Sequence, residues 1–159
     1  MALVLVGINH STANIEMREK VAFPPEIVES ALAEIYALPP IREVVIVSTC
    51  NRTEIYLDFV ESDSAVPAGD ELAQKRQLVD RQEEVVAWLS TFHDLQAGEL
   101  EQCSYSYAGE DVVRHLMKVS CGLDSMVLGE PQILGQIKSA YAVSKDQEVV
   151  AQSLGRAFE

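Results

Sequence analysis

The chain has 159 residues, 48% of them hydrophobic, which suits one globular domain or one domain with a small appended lobe. Its 25 acidic against 12 basic side chains give a formal charge of −13, and an acidic surface argues against indiscriminate nucleic-acid binding. No apolar run approaches the roughly 20 residues of a membrane span. Cys50, Cys103 and Cys121 are too few and too scattered for a disulfide framework or a metal-ligand spacing, which fits a reducing, cytoplasmic compartment.

Residues 2–8 are apolar, lack a basic flank, and read as a first strand rather than a signal peptide. They end at the polar turn Asn9-His10-Ser11-Thr12. Phe23-Pro24-Pro25-Glu26 then opens a helix, since proline is tolerated in a first turn. Ile27, Ala31, Leu32, Ile35 and Leu38 give it a 3.6-residue stripe, and Pro39-Pro40 stops it. Strands follow at 42–49 and 53–60, the second with Ile55, Leu57 and Phe59 on one side; their short connection makes them a hairpin or adjacent pair. Residues 61–76 are rich in Ser, Asp, Ala, Gly and Pro and read as a surface loop or insertion.

A further helix carries Leu78, Val85, Trp88, Leu89 and Phe92, and Cys103–Tyr107 forms a fourth strand. The order β-α-β-β-α-β is the ferredoxin-like pattern: an α+β fold with a four-stranded antiparallel sheet and both helices on one face. From Gly109 onward the character changes. Val112, His115, Leu116, Val119 and Leu123 make a helical stripe, and Pro131 opens a last helix with Ile133, Ile137 and Tyr141. Residues 1–108 are thus the ferredoxin-like unit and 109–159 a helical extension, whose final residues still look helical, as in a chain trimmed from something longer.

The chemistry concentrates in Ser48-Thr-Cys-Asn-Arg-Thr-Glu54, where six of seven residues are polar directly after Val44-Val45-Ile46-Val47. A strand that breaks into a polar turn fixes the backbone and opens the Cys50 sulfur, and a nearby guanidinium favours thiolate. If the segment is extended, Cys50, Arg52 and Glu54 point the same way. The opposing reading makes Cys50 a small buried hydrophobe.

Three polar blocks stand in order: Gly7-Ile-Asn-His-Ser-Thr-Ala13 with Arg18-Glu-Lys20, then Ser48 to Glu54, then Gly122-Leu-Asp-Ser-Met-Val-Leu-Gly-Glu-Pro-Gln-Ile-Leu-Gly-Gln136. Together they resemble the N-terminal catalytic domain of glutamyl-tRNA reductase, over nearly the whole chain. The resemblance implies reduction of the glutamyl group of glutamyl-tRNA with NADPH to glutamate-1-semialdehyde, the entry to tetrapyrrole and heme synthesis. It implies Cys50 as the nucleophile and His115 as an acid/base or positioning group. Thr49, Arg52 and Glu54, with Ser120, Ser125 and Gln136, would line the glutamyl pocket. Arg52 could grip the substrate's carboxylate bidentately or activate Cys50.

Each assignment has a structural counterpart. His115 could be a satisfied core histidine, His10 a turn cap, and His93 a stabiliser of a helix C-terminus. Cys103 and Cys121 could be packing residues, and Asp124 and Ser125 helix caps. Glu54 could merely orient Arg52, and Gly7, Gly122, Gly129 and Gly135 would permit close packing or positive φ.

No G-x-G-x-x-G follows a strand, so the dinucleotide fingerprint is missing. The expectation is an isolated, monomeric catalytic domain without the NADPH and dimerisation domains of the family. The family's homodimer and its partner, glutamate-1-semialdehyde aminomutase, belong to the parent enzyme. The rival readings are a catalytically inert ferredoxin-like binding module and a cysteine acyltransferase or hydrolase acting on another activated ester.

Overall fold

Strands β1 (Ala2–Asn9) and β2 (Ile41–Ser48) are apolar almost without a break because helices cover both faces of the sheet in the computed structural model, which describes residues 2–60, 70–129 and 132–159. β1 sends Val4, Val6 and Ile8 into one core and Leu3 and Leu5 into the other. β2 divides Val44 and Ile46 from Val45 and Val47 in the same way. With β3 (Arg52–Phe59) and β4 (Tyr105–Ala108) they form an antiparallel sheet ordered β2-β3-β1-β4. This is the expected ferredoxin-like arrangement, and the fold is α+β.

The first face carries α2 (Pro25–Tyr36) and α3 (Glu71–Phe92), which bury Ala31, Leu32, Ile35, Val85, Trp88 and Leu89. The second carries α4 (Glu110–Ser120), α5 (Gln132–Asp146) and α6 (Gln152–Phe158), which bury Val112, Leu116, Val119, Ile133, Ile137 and Leu154. The C-terminal residues thus add a third layer to the sheet.

Several boundaries differ from the sequence reading. Helix α3 already starts at Glu71, because the Asp70 side chain accepts the Ala73 N–H at 3.0 Å and caps it. Residues 71–76 are therefore helical, whereas 61–69 of the expected loop, and Pro131, lie outside the described residues. A one-and-a-half-turn helix, α1 (Ile15–Lys20), was not foreseen; it buries no residue and so leaves no apolar stripe, but Asn14 caps it by accepting from Met17 N–H at 2.9 Å. Leu38 and Leu123 fall beyond the ends of α2 and α4 and are exposed. β4 begins two residues later than expected, and α6 follows the helix that the sequence suggested was last.

β3 departs from its neighbours. Ile55, Leu57 and Phe59 enter the first core, but the opposite side of the strand carries Arg52, Glu54, Tyr56 and Asp58, all buried. The C-terminal helices therefore close over a row of polar side chains, and the candidate site forms at the Arg52 end of that row.

Candidate active site

The hairpin between β2 and β3 is built from hydrogen bonds of Thr49. Its N–H donates to the Arg52 carbonyl at 2.8 Å, and its Oγ1 accepts from the N–H groups of Asn51 and Arg52, each at 3.2 Å. Ser48 Oγ accepts from Phe23 N–H at 2.9 Å and lies 3.3 Å from Thr53 Oγ1, tying the turn to the segment before α2. Cys50 sits at the tip of this ordered turn and is exposed. It is not a core cysteine. It also lies outside β3, so the strand's alternation does not reach it, and only Arg52 and Glu54 share a strand face.

That face holds a buried network centred on Glu54, which is 0% exposed. Glu54 Oε1 accepts from Arg52 Nη1 at 2.9 Å and from the Tyr105 hydroxyl, and it lies 2.6 Å from His115 Nε2. Oε2 accepts from the Tyr56 hydroxyl at 2.6 Å. Strand register explains how Tyr105 arrives. Tyr105 of β4 pairs with Gly7 of β1, and Gly7 pairs with Glu54 of β3. A Cβ on Gly7 would stand 2.7 Å from Glu54 Cγ and 2.8 Å from the Thr53 carbonyl oxygen, so only a bare backbone lets the side chains meet across β1.

Burial alone would push the Glu54 carboxyl up. The His115 hydrogen bond, the Arg52 charge and the Tyr105 hydroxyl outweigh it and hold the group at about 2. Burial and the facing Glu54 carboxylate push both tyrosines above their ordinary range, so they stay protonated and donate. Burial disfavours the Arg52 cation, but Glu54 and Asp124 reverse that and hold it above its usual value. Because Glu54 is ionised, His115 Nε2 carries the hydrogen of their bond. The ring stacks on Tyr107 with centroids 4.8 Å apart.

Arg52 is 1% exposed. Its Nη1 also donates to Asp124 Oδ2 at 3.0 Å, and its Nη2 donates to the Asp124 carbonyl. Asp124 is therefore not a helix cap but a second anion on the guanidinium. It belongs to a lobe that starts at Gly122, where α4 ends with Gly122 N–H on the Val119 carbonyl and Leu123 N–H on the Lys118 carbonyl, both at 2.9 Å. Gly122 has φ 70°, which favours glycine.

The other expected positions scatter. Ser120 ends α4 and is half-buried, Ser125 is half-buried in the lobe, and Gln136 is exposed on α5; none joins the Glu54 network. Asn9, not His10, caps the turn after β1, its Oδ1 accepting from Ser11 N–H at 2.9 Å and Thr12 N–H at 3.2 Å. His93 packs on Phe23 with centroids 4.6 Å apart, and burial pushes its imidazole below the ordinary value, so it stabilises α3 by packing rather than charge. Cys121 is exposed at the C-cap of α4 rather than packed. Burial, and Glu101 nearby, push the Cys103 thiol up.

The sequence reading left Tyr56, Tyr105 and Asp124 out of the site. Tyr56 was the legible one, since it continues the Arg52–Glu54 alternation along β3.

Over residues 6–159 the chain matches the family described as glutamyl-tRNAGlu reductase, N-terminal domain. The glutamyl-tRNA reductase of Ectopseudomonas mendocina (strain ymp) is 48% identical over all 159 residues, and that of Pseudomonas aeruginosa (strain PAO1) is 46% identical. The match takes in 100% of this chain but 33% of each relative, so the chain spans about a third of their length. The solved glutamyl-tRNA reductase from Methanopyrus kandleri superposes with a TM-score of 0.69 at 28% identity, over 98% of this chain and 31% of that one.

Proposed function

This chain belongs to the glutamyl-tRNA reductase N-terminal domain family, and we propose that it is the acyl-transfer unit of such a reductase, with Cys50 as the acceptor of the glutamyl group. The observation that carries the reading is the exposed thiol on a hydrogen-bonded hairpin tip, two residues from the buried Arg52–Glu54–His115 network.

An aminoacyl ester is a poor hydride acceptor because its alkoxy oxygen donates into the carbonyl. Transfer to sulfur weakens that donation, and covalent catalysis replaces one hard step by two easier ones. The Cys50 thiolate attacks the ester carbon, the new C–S bond forms, and collapse of the tetrahedral oxyanion breaks the C–O bond. The tRNA ribose oxygen leaves and takes a proton, for which His115 Nδ1 is the proposed source. Arg52 recognises the substrate's side-chain carboxylate. Thr49 holds the turn, and Ser120, Ser125 and Gln136 are weaker candidates for the pocket wall. Glu54, wholly buried, acts through Arg52 and His115 rather than on substrate. In this reading residues 109–159 complete a site founded on 1–108.

The described sheet is wholly antiparallel and the sequence has no G-x-G-x-x-G, so NADPH binding is assigned outside this chain. Reduction to glutamate-1-semialdehyde, for tetrapyrrole and heme synthesis, is proposed for a full-length reductase of this family, and no step of it is drawn from this chain. The homodimer, hand-over to the aminomutase and a cytoplasmic location are proposed for that full-length protein as well. No described helix is long and apolar enough to cross a membrane.

The test is deacylation of glutamyl-tRNA without a reductant, beside glutaminyl-tRNA and a simple thiol-reactive ester. The expected result is release of glutamate that Cys50→Ser abolishes and that exceeds release of glutamine. Equal rates in Cys50→Ser would favour an inert binding module, and equal rates on all esters a general acyl hydrolase.

A further inference from the structure

A substrate carboxylate cannot reach Arg52 in the arrangement described. The guanidinium is 1% exposed, and its Nη groups are taken by Glu54 and Asp124. Something must leave before Arg52 can recognise anything, and the two occupants differ in how firmly they are held.

Glu54 lies on the same strand as Arg52 and is fixed by Tyr56, Tyr105 and His115 as well. Asp124 has a side chain 38% exposed, and its further side-chain bond is a long one from Asn9 Nδ2 to Oδ2, at 3.4 Å. It rides on the lobe 122–129, whose neck is closed by Gly129 N–H on the Gly122 carbonyl at 3.1 Å. Both neck residues are glycines in the left-handed region, with φ 70° and 77°. Leu123, Met126, Val127 and Leu128 on the lobe are 63–76% exposed, so these large side chains do not anchor it to either core. Among the described residues, Asp124 bonds the lobe to the sheet, through its side chain and its backbone carbonyl.

Charge favours exchange over addition. One guanidinium already faces two carboxylates, and a third would have to share it with both. Replacing Asp124 by an incoming carboxylate leaves the count unchanged.

We propose that Asp124 is a gating residue: it holds Arg52 in the absence of substrate and is exchanged for the substrate's side-chain carboxylate, the lobe 122–129 swinging away about its two glycines. The proposal rests on the reading that Arg52 is the carboxylate-recognition group. The apparent affinity is then the intrinsic one multiplied by the fraction of time the gate is open, so loosening the gate tightens binding.

The experiment titrates the chain carrying Cys50→Ser with glutamate α-methyl ester and with glutamine α-methyl ester, following the amide resonances of Gly122 and Gly129. Adding Asp124→Asn is expected to tighten the glutamate ester about tenfold if the gate is open a tenth of the time. It should also move the ligand-free Gly122 and Gly129 resonances toward their ligand-bound positions. Unchanged or weaker binding in a folded Asp124→Asn chain, with preference for the glutamate ester retained, overturns the gate alone. Equal binding of the two esters before and after the change overturns the reading of Arg52 and the gate with it. If Asp124→Asn does not fold, the chain with Asp124 intact decides: Gly122 and Gly129 must shift together on saturation with the glutamate ester, and unmoved resonances overturn the proposal.

Discussion

Glu54 shows how one buried carboxylate can organise a site. Four donors from two strands and a helix converge on it, so it stays ionised where an isolated carboxyl would protonate. Removing one donor while keeping the ring isolates that effect. Tyr105→Phe should destabilise the chain by about 2 kcal/mol in urea unfolding, the scale of a hydrogen bond to a charged group. The pH dependence follows from the sign of the Glu54 shift. Its folded value lies below the ordinary 4.5, at about 2. The contribution is therefore complete above 4.5 and is lost as pH falls through about 2. Glu54→Gln should cost about 3 kcal/mol near neutrality, the scale of breaking a buried ion pair. That gap to the unaltered chain should narrow steadily in urea melts taken between pH 5 and pH 2. A constant gap would mean that Glu54 is not ionised in the fold. At this scale the sequence exposed what neighbours could reveal. Polar residues directly after an apolar run marked Cys50, and alternation marked Arg52 with Glu54. Tyr105, His115 and Asp124 are 51, 61 and 72 residues from their partners in the network, so no local pattern joins them.

Elements end where backbone geometry allows, and three described helices end by the same device with different residues, α3 doing so at Asp94 with φ 55°. α4 stops at Gly122 in the left-handed region, the residue type that makes such a stop readable. α5 stops at Glu148 with φ 58°, where Glu148 N–H donates to the Lys145 carbonyl at 3.0 Å and Val149 N–H to the Ser144 carbonyl at 3.1 Å. A glutamate at that position carries no stop signal, which is why the sequence reading ran α5 on and missed α6. α6 is then fixed from the sheet. Glu43 of β2 accepts from the N–H groups of Ala151, Ser153 and Leu154 at 2.9, 2.8 and 2.9 Å, satisfying the helix start that no residue of its own caps. Glycine tolerates the left-handed conformation that glutamate resists, so Glu148→Gly should stabilise the chain by about 0.5–1 kcal/mol. Thermal unfolding checks it, and a lower melting temperature would mean that the Glu148 side chain contributes something the backbone argument omits.

Across the whole molecule, the ferredoxin-like order was legible because strand and helix periods alternate cleanly from Leu3 to Tyr107. The third layer was less so. Its signal was the unbroken apolar runs of β1 and β2, which only a sheet covered on both faces requires. That layer completes the candidate site, because α4 delivers His115 to Glu54 and the lobe after it delivers Asp124 to Arg52. The −13 charge bears on the same scale: a net acidic surface gains little from tRNA phosphates, so under the proposed function recognition falls to the glutamyl group and the site that would hold it. The most direct measurement is therefore on the acyl group itself. The chain is incubated with glutamyl-tRNA and no reductant, and its intact mass is read before and after mapping of the cysteines. The expected result is one glutamyl group on Cys50, lost in Cys50→Ser and untouched by replacing Cys103 or Cys121. A folded chain that gains no adduct and releases no glutamate through Cys50, or that carries the glutamyl group on another cysteine, would contradict the assignment of Cys50 as the acyl acceptor.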